Sequence, residues 1–342
     1  MNYEFYTNSK RAWRSMFQEI EKATKSVYLE MYIFNSDTEM DFLNLLKNQA
    51  RNGIKIKLIL DSFGSIELSK KSIQELESSG VEILFLSYFM HRMHKKVLII
   101  DERVAFLGGV NIHKQALNWR DLAVKIQGGL VRQMVYMFAK DYKYAGGKDS
   151  EILIKNKKII HSKIGNWVFE HFPAVNKFRL KKIYKENFER ATKDITLITP
   201  YFIPKRFLTG LLHQTILRGV KVTILVPEDT EYIILNKANY FYMTKCVALG
   251  VSFYLMPKMN HAKAMIIDNR EAIIGSQNLD FLSFNFNSEV GVWFKDDNTV
   301  LKIKNIVSEW QRESKVFKPE EYRLNIFEKM LAHVLNFFVM LI

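Results

Sequence analysis

Two periodicities alternate along this chain and predict an ordered series of helices and strands. Apolar residues spaced three or four apart predict helices, whereas β-branched or alternating runs predict strands. The predicted elements are, in order, helix 10–25, strand 26–34, helix 41–51, strand 54–61, helix 66–79, strand 81–86, strand 195–199, helix 211–218 and strand 220–226. This alternation predicts α/β sheets covered by helices, and its return in the second half predicts an internal duplication.

A further strand is predicted at Val97 to Ile100, with polar residues at both of its ends. His94 and Lys96 stand two residues apart, so a strand would point both side chains to the same face. Asp101 follows seven residues after His94, at odd parity and roughly 23 Å away in a regular strand. Asp101 is therefore not expected to hydrogen-bond to His94.

A hairpin is expected to follow this strand. If Glu102-Arg103 forms a two-residue loop, His94 faces Asn111 across the hairpin. An imidazole, the ammonium group of Lys96 and an amide would then converge on one patch without any metal. Such a patch suits a phosphate group.

The same arrangement occurs a second time, from His261 through Lys263 and Asp268 to Asn278. The two histidines are 167 residues apart, and so are the two asparagines. A loop at Asn269-Arg270 would place His261 opposite Asn278 in the same way. A single His-x-Lys on a strand is usually surface decoration, but a duplicated one with the same glycine and asparagine spacing indicates an active site.

An acidic residue follows each hairpin, Asp121 in the first copy and Glu289 in the second. Because their positions are equivalent, these two residues are candidates for orienting the two imidazoles. The duplication predicts two domains, at residues 1–150 and 176–342, connected by a poorly matched stretch at about 140–175.

Composition adds a preference for anionic partners. The 342 residues include 50 Lys or Arg and 36 Asp or Glu, which leaves a formal net charge of +14. Such an excess favours phospholipid headgroups, nucleic acid or other phosphates, although solvated surface lysines explain it equally well. No basic run interleaved with aromatic residues marks a groove for nucleic acid.

Cysteine usage and the chain ends bear on the compartment. Cys246 is the only cysteine, so a disulfide framework and a zinc cluster are excluded and a reducing compartment is predicted. The N-terminus lacks the pattern of a signal peptide, and no uncharged stretch reaches the length that spans a bilayer. The apolar stretch 326–342 predicts a C-terminal helix that packs on the core or lies in a membrane interface.

The duplicated motif resembles the signature of the phospholipase D superfamily, HxKxxxxD followed by a Gly-Gly/Ser-x-Asn element. Within that superfamily the chain is most similar to bacterial cardiolipin synthases, over about residues 5–340. The resemblance implies two pseudo-symmetric halves, each a mixed β-sheet flanked by helices, with one active site at their interface. The sequence departs from many synthases at Ala123, where a His is common, and at Met93, where Asn is frequent. The N-terminal membrane segments of many synthases are not predicted here.

The resemblance also implies roles for the motif residues. One histidine attacks phosphorus to form a phosphohistidine, while the other protonates the leaving oxygen and later activates the acceptor. His94 is the expected nucleophile and His261 the acid/base, although pseudo-symmetry also permits the reverse. The lysines, with Asn111 and Asn278, would hold the phosphate oxygens. The motif set, grouped as catalytic, is His94, Lys96, Asp101, His261, Lys263 and Asp268.

Three qualifications apply to this set. Strand geometry assigns Asp101 and Asp268 a structural, charge-pairing role. Arg92 lies two residues before His94, so it is either a phosphate contact or a surface residue. The six remaining histidines have no comparable context and are predicted to be non-catalytic.

The function that this pattern favours is phosphatidyl transfer without a metal or other cofactor. The expected reaction is cardiolipin synthesis from two phosphatidylglycerols, by a monomer bound peripherally to anionic phospholipid on the cytoplasmic face of the cell membrane. A hydrolytic phospholipase D differs only in using water as the acceptor. A metal-independent nuclease and a non-catalytic lipid-binding protein are the alternatives from other classes.

Overall fold

Two mixed β-sheets with the same strand order form the framework of the molecule. The structure is a computed structural model, and it describes residues 2–35, 40–88, 91–155, 165–175, 177–325 and 328. The predicted C-terminal helix at 326–342 lies outside these residues except for Glu328. Within the described part of the chain, no helix is both long and apolar enough to cross a membrane.

The first sheet has seven strands in the order β1-β9-β8-β7-β2-β3-β4. Its strands β2, β3 and β4 run parallel, and the other neighbours are antiparallel. The strands of the first half, including a small β5–β6 hairpin, are β1 Asn2–Asn8, β2 Ser26–Met31, β3 Lys55–Leu60, β4 Glu82–Phe85, β5 Ser87–Tyr88, β6 His91–Arg92, β7 Lys96–Ile100, β8 Val104–Gly108 and β9 Arg120–Gln127.

The second sheet has eight strands in the order β10-β18-β16-β15-β11-β13-β14-β19, so its first seven positions repeat the first sheet. The small β12–β17 pair lies apart from it. The strands are β10 Trp167–His171, β11 Asp194–Ile198, β12 Phe202–Ile203, β13 Lys221–Pro227, β14 Ser252–Met256, β15 Ala264–Ile267, β16 Glu271–Gly275, β17 Leu279–Asp280, β18 Glu289–Phe294 and β19 Lys315–Val316. The predicted fold class, two mixed α/β halves, is therefore confirmed.

Helices cover both sheets. They are α1 Ser9–Glu21, α2 Phe42–Arg51, α3 Lys70–Ser78, α4 Gly129–Tyr144, α5 Ser150–Leu153, α6 Arg179–Arg190, α7 Arg206–Leu217, α8 Ile233–Val247, α9 Phe281–Asn285 and α10 Asp297–Arg312. The predicted helix at 66–79 begins later, at Lys70, because Ser69 caps its N-terminus by accepting the amide N–H of Ser72 at 3.0 Å.

One hydrophobic core is shared by the two halves. It contains side chains of β7, β9 and α4 from the first half together with side chains of β18 and α10 from the second. Each half also has an outer core under its own helices. Because separating the halves would expose the shared core, the halves are held face to face. This arrangement fixes the geometry of any site between them.

The stretch predicted as a connection contains helices and a strand. Residues 140–175 include the end of α4, α5 and β10, and β10 pairs with β18 at the edge of the second sheet. The division of the chain at residues 150 and 176 stays a prediction.

Both hairpin registers differ by one residue from the prediction. In the first hairpin Val97 pairs with Leu107, and in the second Ala264 pairs with Ile274. The turns begin at Asp101-Glu102 and Asp268-Asn269, which have φ between +50° and +56°, instead of at Glu102-Arg103 and Asn269-Arg270. His94 therefore does not face Asn111 across a regular ladder.

Candidate active site

Each motif histidine is held by the backbone of the other half. The amide N–H of His94 donates to Ser288 O at 3.0 Å, and that of Ser288 donates to Arg92 O at 2.7 Å. In the second copy, the amide N–H of His261 donates to Arg120 O at 2.7 Å. Since the bonds of His94 and Ser288 cross between the halves, and the bond of His261 does so too, the halves together bring the two histidines into one cavity.

The acidic residues pair with the histidines crosswise. His94 Nδ1 lies 3.0 and 3.1 Å from the two carboxylate oxygens of Glu289. His261 Nδ1 lies 3.0 Å from Asp121 Oδ2 and 3.1 Å from Gly109 O. Each carboxylate thus comes from the opposite half, an assignment that the equivalent spacing of Asp121 and Glu289 left open.

These contacts define the tautomers of the two rings. The carbonyl of Gly109 only accepts hydrogen bonds, so His261 Nδ1 is the donor. Burial raises the pKa of Glu289, but the neighbouring His94 and Lys96 outweigh that effect and lower it overall, so Glu289 is an ionised acceptor. In a neutral imidazole with the proton on Nδ1, Nε2 keeps its lone pair for chemistry.

Both rings are neutral at pH 7. Burial lowers the pKa of His94 to about 4, with Lys96 adding to the effect and Glu289 opposing it. Burial and then Lys263 lower the pKa of His261 to about 3. A neutral imidazole is the form that can attack phosphorus.

The two motif lysines are buried beside the histidines. Lys96 Nζ donates to His94 O at 2.8 Å, and Lys263 Nζ donates to His261 O. Burial and the repulsion from Lys263 hold the pKa of Lys96 well below its usual range. Burial lowers the pKa of Lys263 to about 8, although Asp121 and Glu289 oppose it. An incoming anion would relieve this repulsion.

The two motif asparagines are buried at the same cavity. Asn111 Oδ1 accepts a hydrogen bond from the amide N–H of Ile33 at 3.3 Å, so the NH₂ group of Asn111 points away from that amide. The side-chain oxygen of Asn278 is buried and finds no donor among the described residues. The Asn278 side chain also hydrogen-bonds Asp280, a carboxyl group whose pKa burial raises to about 6.

The motif aspartates lie away from the histidines. Asp101 accepts backbone N–H groups of Thr24, Lys25 and Ser26 at 2.7–3.2 Å, and Asp268 accepts the corresponding three in the second half. Their partners are thus backbone amides, where the sequence suggested charge pairing. These contacts support a structural role, and we do not place the two aspartates in the chemistry.

Two serines near Glu289 were not singled out from the sequence. Ser276 Oγ donates to one oxygen of Glu289, and Ser283 Oγ donates to the other at 2.8 Å. In the first half the position of Ser276 is taken by Gly109, where a Cβ atom would lie 2.2 Å from Asp121 Oδ1. The change from Gly-Gly in the first motif to Gly-Ser in the second could have drawn attention to Ser276, but nothing in the sequence marks Ser283.

The histidines line a cavity of about 340 Å³ between the halves. Its other lining residues include Tyr32, Arg92, His113, Trp119, Tyr201, Glu231, Asn111 and Asn278. The guanidinium carbon of Arg92 lies 3.6 Å from the centre of the Phe63 ring, and its Nη1 has no hydrogen-bond partner among the described residues. Arg92 thus lies in the cavity wall, and its contact with a phosphate stays a prediction.

His113 lines the same cavity, although the sequence offered no context for it. Its ring packs edge-on against Trp119 with centroids 5.3 Å apart, and burial lowers its pKa to about 4. Ala123 and Met93, where the chain departs from many synthases, are both buried and absent from the cavity lining. Within the described residues, no group of three or more His, Cys, Asp or Glu side chains is placed to hold a metal ion.

Comparisons with known proteins agree with this architecture. The family described as "Cardiolipin synthase, PLD-like domain" matches residues 16–142 and again 184–310. The cardiolipin synthase of Geobacillus sp. (strain WCH70) is 31% identical over 340 residues, which cover 92% of this chain and 66% of that protein. The minor cardiolipin synthase ClsB of Bacillus subtilis (strain 168) is 27% identical over 94% of this chain and 84% of its own length. The chain thus spans about two thirds of the first of these relatives.

Solved structures show the same fold at low sequence identity. The phosphatidylserine synthase of Haemophilus influenzae Rd KW20 superposes with a TM-score of 0.76 at 14% identity, covering 98% of this chain and 92% of that one. The polyphosphate kinase of Porphyromonas gingivalis gives 0.65 at 13% identity, covering 98% and 52%. At such identities the likeness concerns the fold alone.

Proposed function

Because the chain belongs to the cardiolipin synthase, phospholipase D-like family, with that domain present twice, we propose that it is a phosphatidyltransferase that makes cardiolipin from two phosphatidylglycerols. The observation that carries the proposal is the pair of crosswise dyads, His94 with Glu289 and His261 with Asp121, in one cavity. A single chain holds both dyads, so we further propose that it acts as a monomer.

The electrostatics of the cavity suit a phosphodiester. Such a substrate is anionic and repels nucleophiles, so its reaction needs positive charge on the non-bridging oxygens. Lys96 and Lys263 supply two buried amines next to the histidines, whose protonated form a bound phosphate favours, and Arg92 adds a guanidinium in the wall. The amides of Asn111 and Asn278 complete the proposed phosphate contacts.

The proposed first step is attack of His94 Nε2 on the phosphorus of phosphatidylglycerol. A phosphorus–nitrogen bond forms as the bond to the glycerol oxygen breaks, and His261 gives its proton to that oxygen. Because the pKa of free His261 is about 3, this proton must be taken up as the substrate binds. The negative phosphate favours that uptake by offsetting the repulsion from Lys263.

The second step frees His94 and returns the proton to His261, which releases it when the product leaves, because the pKa of His261 in the free enzyme is about 3. His261, now neutral, takes the proton from the terminal hydroxyl of a second phosphatidylglycerol, and that oxygen displaces His94 from phosphorus. Glu289 stabilises the positively charged imidazole during the first step, as Asp121 does for His261. The pseudo-symmetry of the two dyads permits the reverse assignment of nucleophile and acid.

The acceptor separates the candidate functions. Water in the second step would yield phosphatidic acid, the product of a hydrolytic phospholipase D. The apolar lining at the mouth of the cavity, which includes Phe63, Ile66 and Leu282, supports a lipid substrate and a site of action on an anionic membrane surface. We propose that this surface is the cytoplasmic face of the cell membrane.

Lipid product analysis tests this function. Purified protein is incubated with phosphatidylglycerol vesicles and the products are identified by mass spectrometry. Cardiolipin and free glycerol are expected from the wild type and from His213→Ala, which replaces an exposed histidine on α7, and neither product from His94→Ala. Phosphatidic acid alone would identify a hydrolase. No lipid product together with cleavage of DNA would identify a nuclease.

Trapping the intermediate identifies the nucleophile. The reaction is quenched rapidly at mildly alkaline pH, because a phosphorus–nitrogen bond hydrolyses in acid, and after digestion the peptide carrying a phosphatidyl or phosphoryl group is sequenced by mass spectrometry. Modification at His94 supports the proposed order. Modification at His261 would reverse the roles of the two histidines and leave the overall reaction unchanged.

A further inference from the structure

Large hydrophobic side chains are exposed around the mouth of the cavity. Phe63 and Ile66 are 56% and 75% exposed, and Tyr232 and Ile233 are 52% and 76% exposed. Phe63, Ile66 and Tyr232 line the cavity, and Ile233 follows Tyr232 directly. A group of exposed apolar side chains around one opening indicates an interaction surface, whereas single scattered ones do not. We call these four residues the rim.

The rim is built from equivalent loops of the two halves. Phe63 and Ile66 follow β3, whereas Tyr232 and Ile233 follow β13, and these strands occupy the same position in their sheets. The rim therefore surrounds the opening from both sides. Since both contributing loops follow parallel strands, they lie at the carboxyl ends of those strands, where open α/β sheets bind ligands.

Hydrogen bonds hold both loops in place. Asp61 accepts Phe63 N at 2.9 Å and Gly64 N at 2.8 Å, and a Cβ atom on Gly64 would lie 2.2 Å from Tyr32 O. In the other loop, Asn236 Oδ1 accepts both the amide N–H and the hydroxyl of Thr230, at 2.8 and 2.7 Å. Loops held in this way cannot easily withdraw their apolar side chains from water.

The size of the cavity indicates what covers the rim. A volume of about 340 Å³ is at the small end for sites that enclose a drug-sized ligand. It can take a phosphate and a polar headgroup but not the acyl chains of a diacyl lipid. Those chains must remain outside, next to the rim, while the phosphate reaches the histidines past Arg92.

We propose that the rim is the surface by which this protein seats on a phospholipid bilayer, with Phe63, Ile66, Tyr232 and Ile233 entering the boundary between headgroups and acyl chains. This inference rests on the proposed function for the chemistry of the lipid. The net charge of +14 complements an anionic bilayer. Aromatic side chains such as Phe63 and Tyr232 are common at that boundary, because an aromatic ring can enter the acyl region and the Tyr hydroxyl can stay in contact with water.

Vesicle binding by matched variants tests the rim. Ile233→Ser changes the first residue of α8, and the control Leu217→Ser changes the last residue of α7, which is 67% exposed and does not line the cavity. On phosphatidylglycerol vesicles, Ile233→Ser is expected to lower the partition coefficient about tenfold, the loss for one buried aliphatic side chain. Leu217→Ser is expected to bind as the wild type does. Equal partition of both variants would overturn the proposal.

A fluorescent probe distinguishes the bilayer from another occupant. The indole in Tyr232→Trp should emit as an exposed residue in buffer, then shift to the blue and be quenched by phosphatidylglycerol with brominated acyl chains. An indole that already emits as a buried one in buffer and ignores vesicles would overturn the proposal, because residues 329–342 of this chain or a second copy would then cover the rim.

Short-chain substrate separates this inference from the proposed function. On phosphatidylglycerol dissolved as monomers, Ile233→Ser should turn over at the wild-type rate, while its rate on vesicles falls in step with binding. If the wild type forms no lipid product but still binds vesicles through the rim, the proposed function fails and the docking surface stands. If cardiolipin forms and Ile233→Ser binds vesicles normally, the docking surface fails and the function stands.

Discussion

A buried carboxyl group next to the active site offers a sharp test of the electrostatics. Glu30, the fifth of the six residues of β2, is fully buried, and neither of its oxygens has a hydrogen-bond donor among the described residues. Beside it, Lys95 contacts Asp141 and, at 2.6 Å, Glu170, which also contacts Lys140. The ammonium groups of Lys95, Lys140 and Lys177 all pair with Asp141 or Glu170, and none of them hydrogen-bonds an oxygen of Glu30, so a charge on Glu30 would be uncompensated.

Glu30 is therefore expected to hold its proton in the folded protein. Burial raises its pKa well above 4.5, and the negative charges of Asp141 and Glu170 add to the effect while Lys95 opposes it. A protonated Glu30 can donate a hydrogen bond to the Asp141 carboxylate, and this bond explains why the two carboxyl groups can lie next to each other. A glutamine at this position would keep a donor and the same shape without titrating.

The pH dependence follows from the direction of this shift. Because the folded pKa is raised, the stability contributed by Glu30 is fully present below the unfolded value of 4.5 and is lost as the pH rises through the folded pKa. Holding one proton costs about 1.4 kcal/mol for each pH unit above the unfolded value. At pH 7 the ceiling is about 3.4 kcal/mol, which Glu30→Gln should recover.

Urea denaturation followed by tryptophan fluorescence measures the effect. The free energy of unfolding of Glu30→Gln should exceed that of the wild type by an amount that grows as the pH rises above 4.5 and levels off at the folded pKa, with no change in the denaturant slope. The control Glu4→Gln, whose side chain is 59% exposed, should leave the pH profile unaltered. A difference that is constant with pH, or a variant less stable than the wild type at pH 7, would refute the assignment of a proton to Glu30.

Three further predictions concern the dyads. The ratio kcat/KM should fall as the pH rises through about 8, where Lys263 of the free enzyme loses its proton. The fall in kcat should lie at higher pH, because bound phosphate stabilises the Lys263 ammonium. A fall in kcat at lower pH than the fall in kcat/KM would contradict phosphate binding by this residue. Gly109→Ala should reduce turnover about a hundredfold, since its Cβ would lie 2.2 Å from a dyad carboxylate oxygen. The control Gly210→Ala, whose added Cβ atom would have no atom within 4 Å, should not reduce turnover. Equal turnover by Gly109→Ala and Gly210→Ala would contradict the dyad geometry. Ser283→Ala should lower the free energy of unfolding by about 1.5–3 kcal/mol in denaturation curves by removing a hydrogen bond to the buried Glu289 carboxylate; an unchanged curve would show that this bond contributes nothing.

The alternation of strands and helices in both halves could be anticipated, but the turns of the two hairpins could not be placed to the residue. The predicted loop began at Glu102, whereas the turn begins at Asp101 in the left-handed region, a conformation that Asp tolerates better than most residues. The reason is remote in sequence. The Asp101 carboxylate collects N–H groups of residues 24–26, more than 70 positions away, and no local rule for hairpins includes that contact.

The rim and Glu231 could not be recognised from the sequence either. An exposed Ile66 or Ile233 looks the same along the chain as a buried one, because exposure depends on which elements surround it. Glu231 has no repeated spacing around it, although its carboxylate receives the Tyr201 hydroxyl at 2.6 Å in the cavity wall. Such residues become recognisable only when loops from both halves meet.

The duplication, the α/β class and the chemical types at the site could all be read from the amino-acid sequence, because spacing and side-chain chemistry are local properties that repetition makes unmistakable. It placed two histidines, two lysines and two asparagines in register before any contact was known. Tertiary structure decided the crosswise pairing of His94 with Glu289 and of His261 with Asp121. It also decided the neutral state of both imidazoles, since their lowered pKa values come first from burial. Burial and pairing between halves are properties of the packed molecule, and no stretch of the chain carries them alone.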